Sequence, residues 1–380
     1  MLRTPFASER ISMTDPTTGI RVIQLSSYPL PAAHFPYYWP SITPDNRWIL
    51  FYSQRFLQRN APWDIFRVDA DGLNLFQLTE RNDVQETHGY YGRQYALLSH
   101  DGKTLYVLWG NTLYAIDVEA GNEELIACMD HLVGEGDALS YCVLSYEGRY
   151  IFFRKVSSFV TSVRLDLRTG KAEDVELGGI AMGAMQTEPR VMVQAGEIIW
   201  GSEPTPDGGR RITNLGSKPV LYSVAEDGSD RRLICPNIFA HCTLLGKTSK
   251  VQGCGLPPER CIWIAEEGSE PRKLCSGPYF WHSGASYDGE WIVADTNWPD
   301  CGLQLVHVPT GHFRTLCHTG ATLEHYEFGH SHPLISNDGR LVVFRSDRTG
   351  CPQVYVAHVS EEFRQSIIAG ELDRPKDKWI

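Results

Sequence analysis

Short apolar runs alternate with polar turns along almost the whole chain. In each unit a few apolar residues lead into a turn built on Asp-Gly or a relative. An alternating, aromatic-rich stretch follows, then a polar loop, a second short strand and another turn. Alternation with a period of two marks strands buried on one face. A four-strand unit recurring roughly every 40–50 residues marks a β-propeller. The phrase is clear at Ser41-Ile42-Thr43-Pro44-Asp45-Asn46, Leu97-Leu98-Ser99-His100-Asp101-Gly102, Ala285-Ser286-Tyr287-Asp288-Gly289 and Leu334-Ile335-Ser336-Asn337-Asp338-Gly339. It is looser in the fourth and fifth copies, and a long polar insert interrupts the fourth at 202–218.

Seven copies can be counted, at approximately 34–80, 88–128, 137–177, 186–234, 241–275, 282–317 and 330–358. The last lacks its outermost strand, and the β-branched segment 19–25 reads as a strand that supplies it from the other end. The expected fold is all-β, a seven-bladed β-propeller closed by an N-terminal strand, with 1–380 as one domain. An open solenoid leaves the missing strand and its complement unexplained. Residues 359–380 form a tail with weak helical spacing at Phe363, Ile367 and Ile368.

Composition narrows the setting. With 42% hydrophobic and 21% charged residues the chain reads as globular and soluble, not disordered or membrane-spanning. The first ten residues lack the apolar core of a signal peptide. The ten cysteines are scattered singly, which fits buried free thiols. A cytoplasmic protein is expected, with no membrane partner. A net charge of −11 argues against nucleic acid. It also means that a site for an anionic substrate must bring its own positive charge.

Candidate chemistry concentrates at Glu324-His325-Tyr326-Glu327-Phe328-Gly329-His330-Ser331-His332-Pro333. In an extended backbone His330 and His332 point to one face, and Glu327 lies just upstream. Imidazoles and carboxylates without thiolate suit a divalent ion such as Mn²⁺, Fe²⁺ or Zn²⁺. The bland reading is an exposed polar loop. Other histidines share the register. His332, His282 and His241 each stand six residues before the turn positions Asp338, Asp288 and Lys247, and His34 and His88 precede the innermost strands of their units. In a propeller such positions open into one funnel. His100, His131, His307, His312, His318 and His358 fit no such register.

The segments His330-Ser331-His332-Pro333, Ser336-Asn337-Asp338-Gly339 and Val342-Val343-Phe344-Arg345-Ser346-Asp347 resemble the oligogalacturonate lyases, cytoplasmic seven-bladed propellers. The likeness extends to His282, to His241 and to His34-Phe35-Pro36-Tyr37-Tyr38. It implies a manganese ion, or another divalent metal, held by His282, His330 and His332. Glu327 stands where the family has Gln. His241 is similar in placement to the family's base. The family's fourth-blade Arg has no counterpart, and Arg210, Arg211 and Lys218 are nearby substitutes.

The resemblance implies a metal-dependent lyase that cleaves short oligogalacturonides by β-elimination, to 4,5-unsaturated products. His241 then takes the C5 proton and Arg211 steadies the carboxylates. His34, Tyr38, His88 and Arg210 bind the sugar chain. The partner is a small anionic oligosaccharide, and the protein is a monomer or homodimer. Two alternatives remain at this point: a metal-dependent propeller acting on another uronide or a keto-sugar, and a non-catalytic binding propeller of TolB type.

Overall fold

A turn that closes on itself explains the repeated phrase. In the computed structural model Ser99 Oγ donates to Asp101 Oδ1 at 2.7 Å, while the backbone N–H groups of Lys103 and Thr104 donate to the Asp101 carboxylate and to Ser99 Oγ. The same bonds recur at Ser286/Asp288 and Ser336/Asp338, and at Thr43/Asp45 with Thr in place of Ser. The residue after the Asp needs positive φ. It is Gly at 102, 289 and 339, and at position 46 an Asn with φ 59°, the residue that best tolerates this region after Gly.

The structure describes residues 5–57, 63–80, 95–158, 160–196, 200–204, 210–214, 220–236, 239–255, 259–297, 300–323, 329–371 and 373; for 200–204, 210–214 and 239–240 the backbone alone is described. Six four-stranded antiparallel sheets and one five-stranded sheet form seven blades. Their first strands are Ala32–His34, Tyr95–Leu98, Leu139–Leu144, Ile180–Ala184, Phe239–Leu244, Phe280–Ala285 and Leu334–Ile335. From the second blade to the seventh, each first strand touches the next, and that of the first blade touches the seventh blade. These strands therefore ring the axis. Outward from them the blades pack through layers such as Leu50, Ile65, Leu105, Val107 and Ile116, all buried. The downstream ends of the first strands line a cavity of ≈480 Å³, whose walls include Leu98, Leu144, Leu244 and Leu334 together with Tyr37 and Tyr38.

Closure uses both ends of the chain. Arg21–Gln24 pairs antiparallel with Gln353–His358, matching Val22 with Ala357, Ile23 with Val356 and Gln24 with Tyr355. The expected closing strand is thus in place. A further strand, Ile11–Thr14, pairs outside it and makes the fifth. Buried side chains lock the seam, where Ser26 Oγ donates to Gln353 Oε1 at 2.6 Å and Gln353 Nε2 donates to Tyr28 O at 2.8 Å.

Two segments are more ordered than their sequence promises. Within the insert, Trp200–Pro204 and Arg210–Asn214 pair as a hairpin between the second and third strands of the fourth blade. The tail folds into a helix, Glu361–Ile368, capped by Ser360 and burying Phe363 and Ile367 against the sixth and seventh blades. No helix among the described residues is long and apolar enough to cross a membrane.

Removing residues 1–25 bares the Gln353–His358 edge and leaves an unpaired strand, so the whole ring is expected to unfold at lower denaturant. Ile23 is fully buried at this seam, and Ile23→Ala is expected to cost about 2–5 kcal/mol in a urea titration. An unchanged midpoint in both variants would show that the seam does not hold the ring.

Candidate metal centre

The first strands do not run in unbroken register. They slip between Ser140 and Cys142, Ala181 and Gly183, Phe239 and His241, and Phe280 and Ser283. A bulge of this kind re-aims side chains that strict alternation would send elsewhere. In the fifth and sixth blades the break falls at His241 and His282, whose ring centroids lie 4.4 Å apart.

His282 is fixed by Asp295, on the strand Trp291–Thr296 beside it. Both residues are buried. Asp295 Oδ1 accepts the His282 backbone N–H at 2.7 Å, and Asp295 Oδ2 lies 3.0 Å from His282 Nδ1. A carboxylate facing Nδ1 holds the proton there and leaves the lone pair on Nε2, the arrangement of a histidine prepared to bind metal. The second oxygen also accepts the backbone N–H of His332 at 3.0 Å. One carboxylate thus ties the sixth blade to the segment that enters the seventh.

That segment is not extended, and the expected alternation of His330 and His332 is not what gathers them. Residues 329–333 bend, and His332 has φ 46°, a sparsely populated region for a residue with a side chain, held only where surroundings enforce it. Three contacts enforce it beside Asp295. Arg345 Nε donates to His330 O at 3.0 Å, an Arg345 terminal nitrogen lies 2.6 Å from His332 Nδ1, and His34 Nε2 sits 3.3 Å from Ser331 O. The His332 ring lies against His282 with centroids 3.8 Å apart, and His330 completes the group at 5.5 Å from His282.

Ligand atoms of His282, Asp295 and His330 lie within 4.8 Å of one another, and all three residues are buried. Two imidazoles and a carboxylate form a donor set of the kind that holds Mn²⁺, Fe²⁺ or Zn²⁺. His332 is not among these three. Tyr37 reaches into the group from the first blade, with Oη 3.1 Å from His241 Nδ1. His34 is buried, with Nδ1 against the Phe35 carbonyl and Nε2 toward that of Ser331. Tyr38 is half-buried, edge-on to Tyr37 and Trp39. Glu327 and His88 lie outside the described residues, and Arg210 and Arg211 lie on the hairpin strand, described by its backbone.

Asp295 and Arg345 escape a search keyed to histidines. Each is charged within a fully buried strand, a placement that is rare unless paired. Each also stands seven residues after the Asp of its turn, Asp295 after Asp288 and Arg345 after Asp338. The repeat register that aligns the histidines therefore aligns these residues too.

Burial sets the charge states. It pushes His241 well below the ordinary imidazole value, helped by His282 and opposed by Asp295. It pushes His332 down likewise, with His282 and Arg345 adding to the effect. Tyr37 is pushed well above the phenol range and stays protonated. Desolvation raises Asp295, against His330 and the backbone N–H groups of His282 and His332. Both His241 and His332 are neutral at pH 7. A group whose folded pKa lies below its unfolded value contributes stability above the unfolded value of 6.5 and loses it as pH falls. Metal-free wild-type protein is therefore expected to lose melting temperature faster than metal-free His241→Ala between pH 7.5 and 5.5, by calorimetry. Parallel curves would show that His241 is not held neutral.

No protein-family model matches the chain, and no curated protein matches it in sequence. Solved structures do match. An oligogalacturonate lyase in complex with manganese superposes with a TM-score of 0.72 at 19% identity, covering 95% of this chain and 99% of that one. An oligogalacturonate lyase from Vibrio parahaemolyticus gives 0.70 at 18%, covering 96% and 100%. U3-55K gives 0.51 at 10%, covering 89% and 98%. Likeness at these identities establishes the propeller fold, which many functions share.

Proposed function

We propose that this chain is a divalent-metal-dependent lyase that cleaves short oligogalacturonides by β-elimination, in the cytoplasm, with manganese as its metal. The observation that carries the reading is the convergence of His282, His330 and Asp295, with the His241 ring 4.4 Å from that of His282. End-to-end likeness in fold to two oligogalacturonate lyases, one a manganese complex, supports it. The ten free cysteines suit a reducing compartment.

In this reading His282 and His330 hold the metal, with His332, whose ring lies 3.8 Å from that of His282, as the third imidazole that the family resemblance implies. Asp295 fixes the His282 ring or completes the shell, and Glu327 is the further ligand that the family resemblance implies. When bound, the ion supplies Lewis acidity that neutralises the uronate carboxylate and makes its α-proton more acidic. The side chains do the rest. His241, neutral through burial, takes the C5 proton. In the tautomer where Nδ1–H donates to the Tyr37 hydroxyl 3.1 Å away, Nε2 keeps the lone pair this requires. Loss of the 4-oxygen then leaves the 4,5-double bond. Arg210 and Arg211 stand as candidate cations for neighbouring carboxylates, and His34, Tyr38 and His88 as contacts for the sugar chain.

Trigalacturonate should give a product with the ultraviolet absorbance of an unsaturated uronide. That signal should vanish with chelator and return with Mn²⁺. His241→Ala is expected to lower turnover about 10²–10⁴-fold with bound metal unchanged by elemental analysis. Saturated products, or full turnover after complete metal removal, would exclude this reaction.

A further inference from the structure

One register position supplies rings on both sides of the channel. Counted back six residues from the turn Asp or its equivalent, the fifth, sixth and seventh blades give His241, His282 and His332. The first three give Trp39, Tyr95 and Tyr141, the last counted from Glu147. Two tyrosines from the first blade join the two groups. By ring centroids Tyr37 lies 5.3 Å from His282 and 5.9 Å from His332, while Tyr38 lies 5.0 Å from Tyr37 and 6.4 Å from Tyr141. Trp39 and Tyr95 are buried and meet Tyr141 at 5.9 and 5.7 Å. Tyr38 and Tyr141 are half-buried.

Tyr141 shares more than register with the histidines. It sits in the bulge between Ser140 and Cys142, as His241 and His282 sit at theirs. Its φ is 37°, in the left-handed region that His332 also adopts, and a bulky side chain is held there only where its surroundings enforce it. A charge seven residues after the turn position reaches the ring six residues before it in three blades. Asp295 meets His282, Arg345 meets His332, and the Arg154 guanidinium carbon lies 6.0 Å from the Tyr141 ring centroid. In the third blade a phenol stands where the others have imidazole, so the ring offers no nitrogen to an ion. What it offers is an aromatic surface with a permanent cation beside it.

That pairing fits an anionic sugar. One face of a uronide ring carries C–H groups, which meet the negative face of an aromatic side chain. Its planar carboxylate meets a guanidinium through two parallel hydrogen bonds. We propose that Tyr141 and Arg154, with Tyr38 beside them, form a uronide subsite across the channel from the histidines: Tyr141 stacks on a sugar ring adjoining the one that is cleaved, and Arg154 binds its carboxylate. This deepens the uronide reading above and rests on it. Arg154 then supplies, from the third blade, local positive charge that a chain of net charge −11 must bring to an anionic substrate.

The test is calorimetric titration of full-length, metal-free protein with trigalacturonate and with its neutral methyl ester. Wild type should prefer the acid. Arg154→Gln should bind the acid about 10–100-fold more weakly than wild type, the usual scale for a lost bond between charged groups, and bind the ester as wild type does. Arg154→Lys keeps the charge and should keep part of the preference. Tyr141→Ala should weaken both ligands by a common factor, since stacking does not read charge. Mn²⁺ affinity should be unchanged in all three variants. The acid-to-ester ratio is the criterion, because a folding defect weakens both ligands alike. An unchanged ratio in Arg154→Gln would overturn the subsite and leave the uronide reading intact. Wild type that shows no preference for the acid, or binds it only with Mn²⁺ present, would overturn the subsite as well. Wild type that binds neither ligand, with or without Mn²⁺, would remove the subsite and the uronide reading together.

Discussion

The backbone pairing of Val22, Ile23 and Gln24 with Ala357, Val356 and Tyr355 turns a row of blades into a ring. Everything at the candidate centre depends on that closure. His34 comes from the first blade, His241 from the fifth, His282 and Asp295 from the sixth, and His330, His332 and Arg345 from the seventh. The first and seventh blades adjoin only because the ends of the chain share a sheet. In an open array His34 and Tyr37 would lie at one extreme and the His330–His332 segment at the other.

Within the ring, a few buried polar contacts convert proximity into geometry. Asp295 makes contacts to His282 and His332 from a single carboxylate, and Arg345 grips the same segment at His330 O and His332 Nδ1. Buried charges are costly to desolvate, and such groups persist where they are richly hydrogen-bonded and serve a fixed arrangement. The left-handed backbone at His332 belongs to the same arrangement. Asp295 on His282 and Arg345 on His332 each orient a ring that would otherwise be free to turn.

Much of the ring is legible in the sequence for a local reason. The Ser/Thr-x-Asp-Gly phrase satisfies its own hydrogen bonds within six residues, so the turn needs no distant partner to be recognised. The closing strand is legible from a deficit, since the last unit ends one strand short. The extra strand Ile11–Thr14 and the hairpin at 200–214 are not, because neither answers a gap in the repeat. At the centre, the convergence of His241, His282 and His332 follows from their register, and His330 arrives with the same segment as His332. Their orientations do not. These depend on bulges at 239–241 and 280–283 and on a bend at His332, and a bulge has no signature in a string of apolar residues. Asp295 and Arg345 carry a signal, a charge at a buried repeat position, visible once the turn Asp serves as the origin of counting.

The most direct test of a divalent-metal centre at the ring axis is anomalous diffraction from crystals of the protein grown with Mn²⁺, recorded on both sides of the manganese edge. The expected result is one strong peak bounded by His282 and His330, with Asp295 beside it and Arg345 still on His332. A map with no anomalous peak among these residues at saturating Mn²⁺, or a peak elsewhere on the molecule alone, would contradict the assignment.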